Sequence, residues 1–233
     1  MEFLKPLALI LVLSCMAPAE ALSVDTVEYA SVRNDLDGLV ALRSELTANT
    51  ASYNAAFLEF RIGVAANANG EGKIAKKSLK NSAKILKKAL KESPDSVPHM
   101  ALLANVYGMQ IGVSPMKGPL LGGKAQRLAE RATQLEPGNA QTMLIRGISS
   151  FNTPSMWGGS KKDALKWLDQ AITAFERGAT TGWGAAEAHV WRALTLDALE
   201  RRAEAIDALN VALSVEPDYV WARFILSTLQ EQG

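Results

Sequence analysis

The chain has 233 residues, with 25 lysines and arginines against 24 aspartates and glutamates, for a formal net charge of +1. A balance so close to neutral excludes a general affinity for nucleic acid. Cys15 is the single cysteine, so the chain after it has neither disulfides nor thiol chemistry and must be held by packing.

At the N-terminus, Lys5 precedes an apolar run from Leu7 to Leu13, and Ala19-Glu20-Ala21 places small residues on either side of a cut. This layout predicts a signal peptide over 1–21, cleaved after Ala21. The run falls well short of the ~20 residues that span a bilayer. An acylated Cys15 is the alternative, although Leu13 in Val12-Leu13-Ser14 is bulky where a lipoprotein motif has a smaller residue. The expected location is therefore periplasmic or secreted, with an outer-membrane lipoprotein second.

Residues 22–48 read as an N-terminal helical segment, with Val32, Leu36, Leu39, Val40 and Leu46 at helical spacing. Residues 49–233 read as an array of helix pairs. Tyr53, Ala56, Phe57, Phe60 and Val64 mark the first helix. A turn at Asn67 to Gly72 leads to a second from Lys73 to Lys91, closed by Ser93-Pro94-Asp95. The next pair is Val97 to Met109, packing through Met100, Leu103, Ala104 and Tyr107, and then Lys124 to Leu135. A long connection, Ser114 to Gly123, is expected between them. A third pair starts at Asn139 and resumes at Lys161 to Phe175, after Thr153 to Ser160. A fourth runs from Ala186 to Pro217, and Tyr219 to Gln230 is a last single helix. No segment reads as a strand.

The second helices share a spacing. Ala205, Leu209 and Ala212 stand twelve, eight and five residues before Pro217; Ala125, Ala129 and Ala132 stand so before Pro137, and Ser82, Leu86 and Ala89 before Pro94. Small residues let two helices approach, a larger one fills the gap beside them, and proline ends the second helix. This pattern resembles the tetratricopeptide repeat (TPR), a 34-residue helix–turn–helix unit. The resemblance implies an all-α, right-handed helical-hairpin solenoid of about four pairs, the first degenerate, with a C-terminal capping helix. Pro94 to Pro137 spans 43 residues, and the connection at 114–123 accounts for the excess over the unit. The form Pro154-x-x-x-Gly158-Gly159, with Met156 and Trp157 inside it, is similar to inserts in a group of exported bacterial TPR proteins. That likeness implies no reaction.

In TPR proteins the first helix of each pair lines a concave surface. Positions four, seven, eleven and fourteen after the closing proline share one face. They nominate Asn105, Leu144, Ile148, Phe151, Val190, Leu194, Asp197 and Trp221 as an apolar groove with polar edges. Met116, Leu120, Leu121, Met156 and Trp157 in the two inserts are either covered by neighbouring repeats or presented to a partner as a lip over one edge of the array. Lys73, Lys77, Lys80, Lys84, Lys87 and Lys91 form one stripe, widened by Lys76 and Lys88. It is either a solvated outer face, a contact for an acidic surface or anionic lipid, or a partner for Asp25, Glu28, Asp35 and Asp37.

Nothing in the sequence supports catalysis, a cofactor or a metal. Gly118 to Ala125 approaches a phosphate-binding loop, but Ala125 stands where a hydroxyl is needed and a helix precedes it. His99 and His189 have no ligands at metal spacing, and His189 is expected in the core. The functional expectation is an exported interaction or scaffolding module that takes a segment of a protein partner along the groove. A carrier of an apolar small molecule, similar to the TPR subunits of TRAP-type transporters, is the alternative. An enzyme ranks third. Membrane contact is a lesser option.

Overall fold

The computed structural model describes residues 22–178 and 182–231. The expected signal segment, with Lys5 and Cys15, lies outside them. Eleven α-helices follow one another with no strand among the described residues: α1 (Val24–Val32), α2 (Leu36–Ala41), α3 (Ser52–Ala68), α4 (Gly72–Glu92), α5 (Val97–Val113), α6 (Gly118–Leu135), α7 (Ala140–Asn152), α8 (Lys161–Glu176), α9 (Ala185–Asp197), α10 (Arg202–Val215) and α11 (Val220–Glu231). Consecutive helices from α3 to α10 pack as four hairpins, and each first helix also touches the first helix of the next pair.

The prolines act as the sequence predicts. α4, α6 and α10 each end two residues before Pro94, Pro137 and Pro217. Ala89, Ala132 and Ala212 are buried at the same offset, and Leu86 and Leu209 are fully buried beside them. Two glycines complete the interlock. A Cβ on Gly63 would lie 2.7 Å from Leu79, and one on Gly147 would lie 2.6 Å from Leu168. In these two pairs a leucine of the second helix therefore sits directly on the backbone of the first.

The two inserts are not alike. No long loop spans 114–123; a short 3-10 turn at Pro115–Lys117 runs straight into α6 at Gly118. Pro119 sits in the first turn, where a missing N–H costs nothing. Gly122 and Gly123 take helical angles, and Leu121 is buried. The helix starting at Lys124 is thus corrected to one starting six residues earlier. In the second insert the glycines are required. Gly158 has φ 88°, and a Cβ on Gly159 would collide with the Thr153 carbonyl.

α3 is the centre of the molecule. Every residue from Ala56 to Gly63 is buried, charged Glu59 and Arg61 included. α4 and α5 flank it, α1 and α2 lie against it, and Trp183 from the turn before α9 stacks on Phe57 with centroids 5.4 Å apart. The Trp183 indole N–H donates to the Tyr53 hydroxyl at 2.9 Å. The first and fourth pairs therefore meet, and the array closes on itself.

Candidate functional site

This closure decides which part of the expected groove is open. Asn105, Leu144 and Val190 were expected to face solvent, yet they are only 9%, 0% and 0% exposed. Leu144 packs in one core with Phe57 and Trp183. Val190 packs in another with Val32 of α1 and Tyr219. Half of the inner face is thus filled by α1, α3 and the Trp183 turn. The buried Asn105 side-chain amide nitrogen has no hydrogen-bond partner among the described residues.

A buried ionic cluster fixes the filling. Arg61 of α3 reaches Glu28 of α1 at 2.9 Å and Glu187 of α9 at 2.9 Å. Burial works against the charge on Arg61, but Glu28 and then Glu187 outweigh it and hold the guanidinium even more firmly protonated than usual. Burial raises Glu28 above the ordinary carboxylate range despite Arg61. Burial likewise pushes the Tyr53 hydroxyl up to about 12. Arg33 of the α1–α2 turn pairs with Asp218 ahead of α11, so the N-terminal segment is tied to both the fourth pair and the last helix.

The other half of the inner face stays accessible. Ile148, Phe151, Leu194 and Trp221 are half-buried there, and Asp197 is exposed. Their frame is an aromatic ladder across three first helices. Phe151 of α7 meets Trp191 of α9 edge to face at 5.6 Å, and Trp191 meets Trp221 of α11 at 5.4 Å. Tyr219 closes the row 6.2 Å from Trp221. The Lys161 ammonium lies 3.3 Å from the centroid of Phe151 and donates to the Phe151 carbonyl. The Trp191 indole nitrogen is sheltered from solvent and has no acceptor among the described residues. Trp191 escaped the sequence reading because it falls at position eight after Trp183. It stands four residues after Glu187 and three before Leu194, so helical spacing already put it beside the chosen face.

Apart from Leu121, which reaches the core, the insert residues are uncovered. Met116 is 94% exposed, Met156 85%, Trp157 69% and Leu120 64%, so neighbouring repeats do not bury them. Hairpins stacked side by side carry all their tips on one edge, and α7 ends with Phe151 and Asn152 just before the second tip. On the last helix Ala222, Ile225 and Leu229 face inward while Phe224 is 67% exposed. That is the repeat position of Leu144 and Val190, which are both fully buried.

The lysine stripe is on α4, and all of its lysines are exposed. The N-terminal acids do not answer it: Glu28 is held by Arg61, and Asp35 caps α2. His99 bridges Ser52 and Ser96 through its two ring nitrogens, and His189 is half-buried. Among the described residues no three His, Cys, Asp or Glu side chains gather at metal-binding distance, and no helix is long and apolar enough to cross a membrane.

Solved structures carry the same architecture. The thermophilic TPR protein TTC0263 of Thermus thermophilus is 16% identical and superposes with a TM-score of 0.56 over 89% of this chain and 99% of its own. This chain has the fold of a tetratricopeptide-repeat solenoid. The HusA haemophore of Porphyromonas gingivalis is 19% identical, with a TM-score of 0.54 over 73% of this chain and 84% of that one. No protein-family model matches the sequence, and no curated protein matches it either. In TPR terms, the observed departure from an open array is the inner face, which α1, the α3 side chains Phe57 and Arg61, and the Trp183 turn partly fill.

Proposed function

We propose that the chain is an exported protein-interaction module that takes a segment of a protein partner on the open half of its inner face. The observation that carries this is the aromatic ladder of Phe151, Trp191 and Trp221, half-exposed on three successive first helices. Binding energy concentrates in a few aromatic or apolar anchors ringed by polar groups, and here Asp197 and Lys161 supply the ring. Ile148 and Leu194 widen the apolar strip, and Met156 and Trp157 form a lip at the adjoining edge. Asn105, Leu144 and Val190 support the strip from within.

The test is capture of the native partner by in-cell crosslinking, followed by affinity measurement on variants. Leu194→Gln and Trp191→Ala should each weaken binding at least tenfold, about 1.4 kcal/mol, while Leu194→Gln leaves the melting transition nearly unchanged. Retained affinity in both variants would overturn the assignment. N-terminal sequencing of the protein from its host should begin at Leu22, and a start at a lipid-modified Cys15 would overturn free export.

A second reading has one observation in its favour. The Trp191 indole N–H is an unused donor among aromatic rings, a setting suited to a planar organic solute with an acceptor. HusA, a haemophore, has a similar fold. Mass spectrometry of the purified protein under native conditions separates the two, since a carrier retains a small molecule and the interaction module does not.

A further inference from the structure

The outer side of the solenoid carries a cationic face that no group among the described residues answers. All eight lysines of α4, from Lys73 to Lys91, are exposed, and none forms an ion pair among the described residues. With Glu92 they give this helix +7; the whole chain is +1, so everything outside α4 sums to −6. The buried side of α4 is small and apolar: Ala75, Ser78, Leu79, Ser82, Ala83, Leu86 and Ala89. The charge is thus a whole helix face.

The next outer helix extends it. Lys124, Arg127 and Arg131 stand one turn apart on α6 and line a cleft of about 400 Å³ between α4, α5 and α6. Leu90, Met100, Leu103 and Leu128 also line this cleft. Arg131 is engaged by Asp95 at 3.0 Å; Lys124 and Arg127 have no ion pair among the described residues. Lys87 is the neighbour of Leu90 one turn back on α4 and joins the stripe to the cleft.

We propose that this face docks on the surface of an anionic lipid bilayer, with the cleft receiving a headgroup phosphate at its cationic rim and the start of an acyl chain on its apolar wall. Two features select lipid over other polyanions. α4 contains lysine and no arginine, so it offers mobile point charges and lacks the planar forks that read a fixed carboxylate or phosphate pattern. Lysine clusters of this size are what anionic leaflets attract. The cleft adds apolar surface beneath the cations, which an acyl chain covers and a nucleic acid leaves wet. The opposite charge of the remaining molecule turns α4 toward such a surface during approach. The cations of this face belong to the second helices α4 and α6, so they are separate from the aromatic strip on α7, α9 and α11.

The test is cosedimentation of the purified protein with vesicles of phosphatidylcholine alone or mixed with phosphatidylglycerol, at low and high salt. The expected result is binding to the mixed vesicles only, released by salt. Lys80→Glu with Lys84→Glu should reduce partitioning at least about thirtyfold, from roughly 1 kcal/mol per lysine removed, and Arg127→Glu should reduce it independently. Both variants sit on exposed positions and should keep the wild-type melting curve. No binding to the mixed vesicles, or binding indifferent to the lysine reversals, overturns the proposal. Binding to soluble heparin or to an acidic protein without binding to vesicles overturns it in favour of a polyanion or a protein contact. An unaltered Arg127→Glu removes the cleft from it.

Discussion

Arg61 of α3 and Glu187 of α9 stand 126 positions apart in the chain, and their side chains meet at 2.9 Å in the interior. Repeat arrays are held mainly by contacts between neighbouring units; this one adds a bond from the first pair to the fourth. Glu28 shares the same guanidinium, so one cation balances two acids on separate helices.

Removing that cation should be expensive. Arg61→Met leaves two buried carboxylates without a counter-charge and should cost about 3–5 kcal/mol, read as a fall in the urea midpoint. Adding Glu187→Gln should recover part of the loss, and strictly additive effects of the two changes would show that the residues are uncoupled.

The glycines give a contrast of sign. Gly147→Ala pushes a Cβ to 2.6 Å from Leu168 and should lose about 1–3 kcal/mol by overpacking. Gly108 is also helical, but a Cβ there meets nothing within 4 Å. Gly108→Ala should therefore gain about 0.5–1 kcal/mol. Equal melting shifts for the two would contradict the interlock.

The alanine register makes a third prediction. Ala212 is fully buried, and Ala212→Leu should lower stability by about 1–3 kcal/mol. Lys84→Met, on the exposed face of α4, should be nearly silent. Denaturation midpoints of the two variants decide the matter, and an unshifted Ala212→Leu would break the repeat assignment.

Acid should loosen the protein through its histidines. Burial lowers His99, and burial followed by repulsion from Arg192 lowers His189. The unfolded chain then binds more protons than the folded one below about pH 6.5. The stability these rings contribute is complete above that pH and is lost as pH falls toward their folded values. Melting temperatures taken downward through that window should drop, and His189→Leu should flatten the drop. A slope unchanged in that variant would exclude His189 as a cause.

The hairpins were legible because their cause is local. Alanine spacing and a closing proline are short-range signals, and they place the ends of α4, α6 and α10 without knowledge of what lies around them. The inserts show the limit of such signals. Gly122-Gly123 and Gly158-Gly159 look alike in sequence, yet the first pair is helical and the second turns the chain. Leu121, reaching the core, tips the balance at the first site. The open groove failed for another reason. Whether Leu144 and Val190 see solvent depends on the curvature of the whole array and on α1 and α3 entering it, and no spacing within α7 or α9 encodes that. Arg61 was the available hint, a charged residue in the apolar Phe60-Arg61-Ile62 stretch.

The central position of α3 also sets an order of events during synthesis. Its side chains emerge early, but Trp183 and Glu187, which cover and neutralise it, come more than a hundred residues later. Until then Phe57 has only Tyr53 to stack on, and Arg61 has at most one of its acids. A chain truncated before α9 is therefore left with an incomplete interior. Under the export proposed above, such a chain stays unfinished while it is threaded out of the compartment that makes it, and reaches its final form only after the last pair has passed through.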